Sequence, residues 1–306
     1  MKIYVNDFEL DFKLETEKNL SQVIDSLRAW LAGEGHHIQE VKVDDLFLNW
    51  DRPETWTARE LTGIQTIRVT SINNMELRVQ YLHALHQFFT LLKRSLEEKN
   101  LPLLKEILGD YGSVKLYLNI VFPPAGDSGS ASLADKIDRF LMDSGLLTGE
   151  KIPENTNELL ILVSNLAVLI SELIREMTSP LAEILNTATL LNQLVPRMGD
   201  VSVLLQTGKD KDAMDTVIRF TELSQKLIRI YPYLKAQGYL NTENARIQDL
   251  PFDDYYKDFN RILLELTQAF SANDSVLIGD LLEYEIAPRL EGLILFLNDL
   301  NHTEET

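Results

Sequence analysis

Hydrophobic positions follow two different rules along this chain, and the rule changes near residue 73. Before that point the pattern is short alternation around one helical stretch. Ile3 and Val5 alternate with polar neighbours, Asn6-Asp7 supplies a turn, and Phe8, Leu10, Phe12 and Leu14 resume the alternation. This predicts a hairpin with one face in a core. Leu20, Val23, Ile24, Leu27 and Leu31 recur at helical spacing, with Asn19 as cap and Gly33 to Gly35 as the end. His36-His37 reads as a surface turn. A strand-like segment then runs from Ile38 through Val41 and Val43 to Leu46 and Leu48, and Ile64, Ile67 and Val69 predict a last strand after Gly63.

Beyond Asn73-Asn74 almost everything has helical period. Leu82, Leu85, Phe88, Phe89, Leu91, Leu92 and Leu96 belong to one broad apolar face. Asn100-Leu101-Pro102 starts a second helix towards Val121, with Gly109 and Gly112 as a kink or a close crossing. Pro123 to Ser130 is an exposed loop. Further helices are predicted over Ala131–Met142, Asn155–Met177 and from Pro180 to Leu205, with Pro196 and Gly199 bending the last. The longest apolar stretch, Leu159–Ile170, is assigned to the most buried helix and is too short to span a bilayer.

Three polar breaks, Leu96–Asn100, Leu205–Asp210 and Phe270–Asp274, each read as a tight connection between antiparallel helices. The final pair carries two apolar stripes. One runs from Phe252 to Phe270; the other starts at Val276 and Leu277 and reaches Leu297, with Pro288 bending its helix. The expected class is α+β. Residues 1–72 form a small domain, 73–300 an all-α bundle of antiparallel helical hairpins with an exposed loop near 123–130, and 301–306 a polar tail.

The opening Met1-Lys2-Ile3-Tyr4-Val5, the passage Leu61–Val69 and the order of hairpin, helix and later strands resemble the ubiquitin-like β-grasp arrangement over Met1 to Ser71. The resemblance implies recognition of protein through a sheet face. It does not extend to a modifier or sulfur carrier, because the segment runs into a helix where such proteins end in a free diglycine.

Charge narrows the partners. The formal net charge is −18. Residues 1–73 hold 8 basic and 13 acidic residues, and the remainder 21 and 34, so both parts are acidic. That opposes a passive role on nucleic acid or anionic lipid. With 45% hydrophobic residues the chain is expected to be fully folded, and with no cysteine it has no disulfide, thiolate or Cys-held metal chemistry. Met1–Asp7 turns polar too soon for a secretory signal, so cytoplasmic placement without membrane insertion is expected.

Chemistry is thin. His83 and His86 lie three apart on a helix, but nothing completes a metal site, and Gly208-Lys209 lacks the rest of a phosphate loop. No cofactor is expected. All three tryptophans precede residue 60. Trp30 is assigned to the core, whereas Trp50 and Trp56 flank Asp51-Arg52-Pro53-Glu54 and form a recognition spot, a loop folded over the core or a dock for the helical body. Asp280, Glu283 and Glu285 receive a basic partner, make internal salt bridges or, most simply, form a solvated acidic face. The favoured function is a non-enzymatic cytoplasmic protein-interaction module, such as a scaffold, assembly factor or export-type chaperone engaging a partner through a helical groove. The alternatives are an orphan enzyme with a site between head and body, and a structural homo-oligomer.

Overall fold

A computed structural model describes residues 1–11, 17–123, 131–148, 150–239, 245–272 and 274–302, the last three without their side chains. Phe12, Leu14, most of the Pro123–Ser130 loop and the tail from 303 lie outside the described residues. The architecture is α+β, with an N-terminal sheet region followed by a large helical region. The chain divides into two compact units, Met1–Ser171 and Glu172–Thr306.

The first unit begins with β1 (Lys2–Val5), β2 (Phe8–Leu10), α1 (Leu20–Gly33), β3 (His36–Val43), β4 (Leu46–Phe47) and β5 (Thr66–Asn73). The sheet order is β2-β1-β5-β3-β4, with β1 and β5 parallel and every other pair antiparallel. The register sets Ile3 beside Ile67 and Val41 beside Val69. Those side chains share one core with Leu20, Val23, Ile24, Leu27 and Leu31 of α1. The Asn19 side chain caps α1 by accepting from Gln22 N–H.

Two hairpin turns use left-handed residues, Asn6 and Asp7 at φ 47° and 67°, and Asp44 and Asp45 at 49° and 67°. Short polar side chains tolerate that region best after glycine, and it matches the twist of the strands. Both turns are also tied to β5. Asn6 Oδ1 accepts from Ser71 N–H at 2.8 Å, and Asp44 Oδ1 accepts from Gln65 and Thr66 N–H at 2.8 and 2.9 Å.

Three expectations fail in this region. His36 and His37 open β3, paired with Asn73 and Ile72, so they are strand residues and not a turn. Phe8 lies opposite Val5 at the turn end of its hairpin and is exposed, so the buried face stops short of it. Trp30 is also exposed, because the buried stripe of α1 runs through Leu27 and Leu31.

No linker separates sheet from helix. Asn73 ends β5 and caps α2 (Asn74–Glu97) in a reciprocal capping box with Glu76. Asn74 N–H donates to Gly35 O at 3.1 Å. α3 (Leu101–Gly109), α4 (Tyr111–Val121), α5 (Leu133–Asp143) and α6 (Asn157–Thr178) follow. Gly109 and Gly112 face open space, so neither marks a close crossing; the predicted helix is interrupted at Asp110.

α6 departs most from expectation. It has 22 residues and holds an 18-residue stretch of mean hydropathy 1.7, enough by length and composition to cross a bilayer. Leu159, Val163, Leu166 and Ile170 are buried, but Ile161 and Val168 are 62% and 60% exposed. Its apolar character is wider than the stripe that packs, so it is not the most buried helix.

The second unit contains α7 (Pro180–Gly199), α8 (Val201–Gln206), α9 (Asp210–Ala236), a two-stranded ribbon of β6 (Arg246–Ile247) and β7 (Leu250–Pro251), α10 (Phe252–Ser271), α11 (Ser275–Asp280), a π-helical turn (Leu281–Ile286) and α12 (Ala287–His302). One core joins Leu191, Phe220, Ile230, Phe259, Leu282 and Leu290. The three polar breaks share a local geometry. At each, a residue near the end of the break donates its N–H five residues back, Asn100 to Ser95, Lys209 to Leu204 and Asp274 to Ala269. Asn100 and Asp274 then cap the next helix with their side chains, whereas neither Asp210 nor Asp212 caps α9.

Close approach is made at other glycines than those expected. A Cβ on Gly279 would stand 2.6 Å from Ser202 Cβ, so α11 meets α8 almost backbone to side-chain root. The π turn ends immediately before Ala287-Pro288, where a proline removes one helical donor. Val276 and Leu277, expected on the buried stripe, are exposed at the start of α11, while Leu281 onward is buried.

Candidate functional site

The Trp50–Trp56 loop follows β4, and a 3-10 turn at Pro53–Thr55 folds it back. The two indoles meet edge to face with centroids 5.4 Å apart. Trp56 is half-buried against the head core and donates Nε1–H to Asn49 O at 2.9 Å. Trp50 reaches solvent, with the Arg28 guanidinium 5.8 Å from its ring centroid. The predicted pair therefore divides its work. Trp56 anchors the loop and Trp50 presents a surface.

Sequence reasoning missed what lies beside them. Leu46 and Phe47 of the edge strand are 72% and 63% exposed, and Trp50 is 39% exposed. Phe47 also ends a row that crosses the whole sheet on the side away from α1. In register, Glu9, Tyr4, Arg68, Lys42 and Phe47 stand on β2, β1, β5, β3 and β4. Arg68 lies 4.4 Å from the Tyr4 ring centroid and Lys42 Nζ 4.2 Å from that of Phe47. The available signal was the alternation itself, because residues between buried strand positions must face outward.

The acidic trio is not one surface. Glu285 bonds Arg289 at 2.7 Å, and Arg289 also bonds Asp258 at 3.0 Å, so Glu285 belongs to an internal ion-pair network. Hydrogen bonds from Arg261 and then Arg289 hold the Asp258 carboxyl below its usual range against the opposing effect of burial. Asp280 and Glu283 remain exposed, and the Glu283 carboxylate raises the Tyr284 hydroxyl.

Among the described residues several clefts open between helices. One of about 460 Å³ is lined from α2 by Ala84, Gln87, Phe88 and Leu91, from α3 by Leu103, Glu106, Ile107 and Asp110, and from α4 by Ser113, Val114 and Tyr117. A second, about 600 Å³, lies between α7 and α9 and holds Arg197 and Arg219 with Asp200, Asp212 and Asp215. A third, about 350 Å³, separates α9 from α10 and is lined by Ile228, Leu263, Leu264 and Phe270, with the buried Ser224 hydroxyl unpartnered.

The buried charges are paired. Arg229 clasps the fully buried Glu176 carboxylate with bonds of 3.1 and 2.9 Å, and that contact raises the guanidinium further. Burial works to raise the Glu183 carboxyl, but Lys226 at 2.6 Å and Arg175 at 3.0 Å hold it below its usual value. Tyr231 donates a short hydrogen bond to Asp253, and burial together with that carboxylate pushes its hydroxyl up. Among the described residues no group of three His, Asp or Glu side chains is placed to hold a metal ion. His83 is exposed and His86 half-buried on α2.

Two segments match known families. Residues 1–73 match the family described as TP0873 N-terminal domain. Residues 182–295 match a domain of unknown function, DUF8042. The first match ends where β5 ends, and the second runs from the first turns of α7 into α12. No curated protein and no solved structure matches the chain.

Proposed function

We propose that this chain is a non-enzymatic protein-interaction module, in which residues 1–72 are a recognition domain and 73–300 a helical body offering grooves to a second partner. The observation that carries the proposal is the exposure of Leu46, Phe47 and Trp50 within one short segment at the edge of the sheet, Phe47 on the side away from α1 and Trp50 beside Arg28 of α1. Large apolar side chains left exposed at a sheet edge, beside a satisfied aromatic anchor, are what a protein contact buries. The sheet order, with β1 parallel to β5 and one helix across the face, supports the β-grasp reading of the head. The net charge of −18 favours a protein partner over nucleic acid and is consistent with a cytoplasmic place of work. An export-type chaperone is the narrower form, in which the body shields a client helix.

The test compares full-length protein with a Phe47→Ala/Trp50→Ala variant in quantitative affinity purification from the native cells. A partner recovered with the wild type is expected to fall by roughly tenfold or more, with the melting temperature unchanged. Equal recovery of every partner sinks the proposal. A homo-oligomer is the second reading, favoured by exposed Ile161 and Val168 on α6. Sedimentation of the full chain at several concentrations separates the two.

A further inference from the structure

The cleft among α2, α3 and α4 is built from two matching ridges and a closing end. Ala84, Gln87, Phe88 and Leu91 repeat at i, i+3, i+4 and i+7 on α2, and Leu103, Glu106, Ile107 and Asp110 repeat at the same intervals on α3. Positions so spaced share one helix face. On α4, Ser113, Val114 and Tyr117 close the end. The floor is apolar, since Phe88, Ile107 and Val114 are buried and Leu91 and Leu103 half-buried. α2 therefore has two apolar faces. Leu82, Leu85, Phe89, Leu92 and Leu96 are fully buried, while Phe88 and Leu91 look into the cleft.

The rim carries the second observation. Glu106 and Asp110 are exposed carboxylates four residues apart on the same ridge. Among the described residues neither side chain has a hydrogen-bond or ion-pair partner. Like charges at this spacing repel by a few tenths of a kcal/mol in an isolated helix, about 0.2–0.5. Asp110 is both the C-cap of α3 and the N-cap of α4, so the two helix dipoles act on it in opposite directions. A cation arriving from outside would relieve that repulsion.

We propose that this cleft binds an amphipathic helix of a partner protein, with its apolar side chains on Phe88, Ile107 and Val114 and a Lys or Arg on the flank meeting Glu106 and Asp110. The volume of about 460 Å³ suits two or three aliphatic side chains rather than a whole helix, so the partner lies over the cleft and inserts one ridge. The inference rests on reading the chain as a protein-binding module, but on a surface separate from the Phe47–Trp50 edge.

The probe is a synthetic helical peptide of about 18 residues with Leu at i, i+3, i+4 and i+7 and Lys on the flanks, followed by fluorescence anisotropy against the full-length protein. Because an acidic protein attracts any cation, the controls are matched in charge. Glu106→Gln/Asp110→Asn is expected to weaken binding by roughly tenfold or more and to flatten its salt dependence. Asp280→Asn/Glu283→Gln removes the same charge elsewhere and is expected to change affinity by less than about twofold. Equal losses in the two pairs overturn the proposal, as does equal binding of a peptide with Glu in place of Lys, or no binding of the Lys peptide. All four carboxylates are exposed, and melting curves check that each variant folds. Phe47→Ala/Trp50→Ala is expected to bind the peptide as the wild type does. Loss of the groove signal while the head still captures its partner would refute this inference alone.

Discussion

The head and the second compact unit handle charge in opposite ways. In the head, Lys2–Glu9, Arg28–Asp25, Lys42–Glu40 and Arg59–Asp44 are all surface pairs. In the second unit, Glu176 is buried against Arg229, and Glu183 and Lys226 are mostly hidden from water. The difference follows from where the backbone spends its hydrogen bonds. Strands must pair with other strands, so the ladder itself specifies which segment lies beside which. A helix satisfies its own backbone and carries no such address, so side-chain charges select its neighbours.

The largest test of this contrast is Arg229→Met. It leaves the Glu176 carboxylate buried and unpaired, and about 3 kcal/mol of stability should be lost in urea unfolding, less than for a wholly buried pair because Arg229 reaches solvent. Glu176→Leu/Arg229→Met should recover most of that loss if the pair acts as an address rather than a net source of stability. A double variant no better than the single one breaks the comparison.

Gly279→Ala comes next. Its methyl would collide with Ser202, and overpacking of this kind costs about 2 kcal/mol. Ser202→Gly added to it should restore the melting temperature, which sharpens the claim that this crossing depends on contact distance and not on charge.

The smallest effect belongs to the head. The Thr66 and then the Gln65 backbone N–H groups hold the Asp44 carboxyl below its ordinary 3.8. A carboxylate so depressed stabilises the fold fully above its unfolded pKa, and the contribution disappears as pH falls through the folded value. Thermal melts of wild type and Asp44→Asn should therefore differ above pH 3.8 and converge below it. A difference that persists unchanged in acid would place the stabilisation elsewhere.

Much of the architecture was legible because periodicity reports burial. Asn19, Asn73, Pro102 and Pro180 mark helix starts, and the stripes from Phe252 to Leu266 and from Leu281 to Leu297 lie in the core. The failures have physical causes. Two-residue strands such as β6 and β7 are too short for any period to register. The apolar surplus of α6 looked like depth, since hydropathy alone cannot tell a buried side from an uncovered one. Sites were read less well than elements. Trp50 and Trp56 were found through their rarity, but the role of Phe47 depends on pairing with Lys42 across β3 and β4. Likewise the Glu106–Asp110 rim is visible only once three helices converge.

One feature of the last helix bears on how this chain tolerates changes in length. Ile278, Leu282, Ile286 and Leu290 are all buried at strict intervals of four, which an ideal α-helix of about 3.6 residues per turn would spread around its circumference by some 40° a step. The wider π turn absorbs the drift. Removing one residue at exposed Glu283 or Tyr284 converts those three intervals to four, three and four, the heptad rhythm of a regular helix. The turn thus behaves as a single inserted residue in an otherwise regular helix, and a deletion there should be milder than a substitution at Leu282.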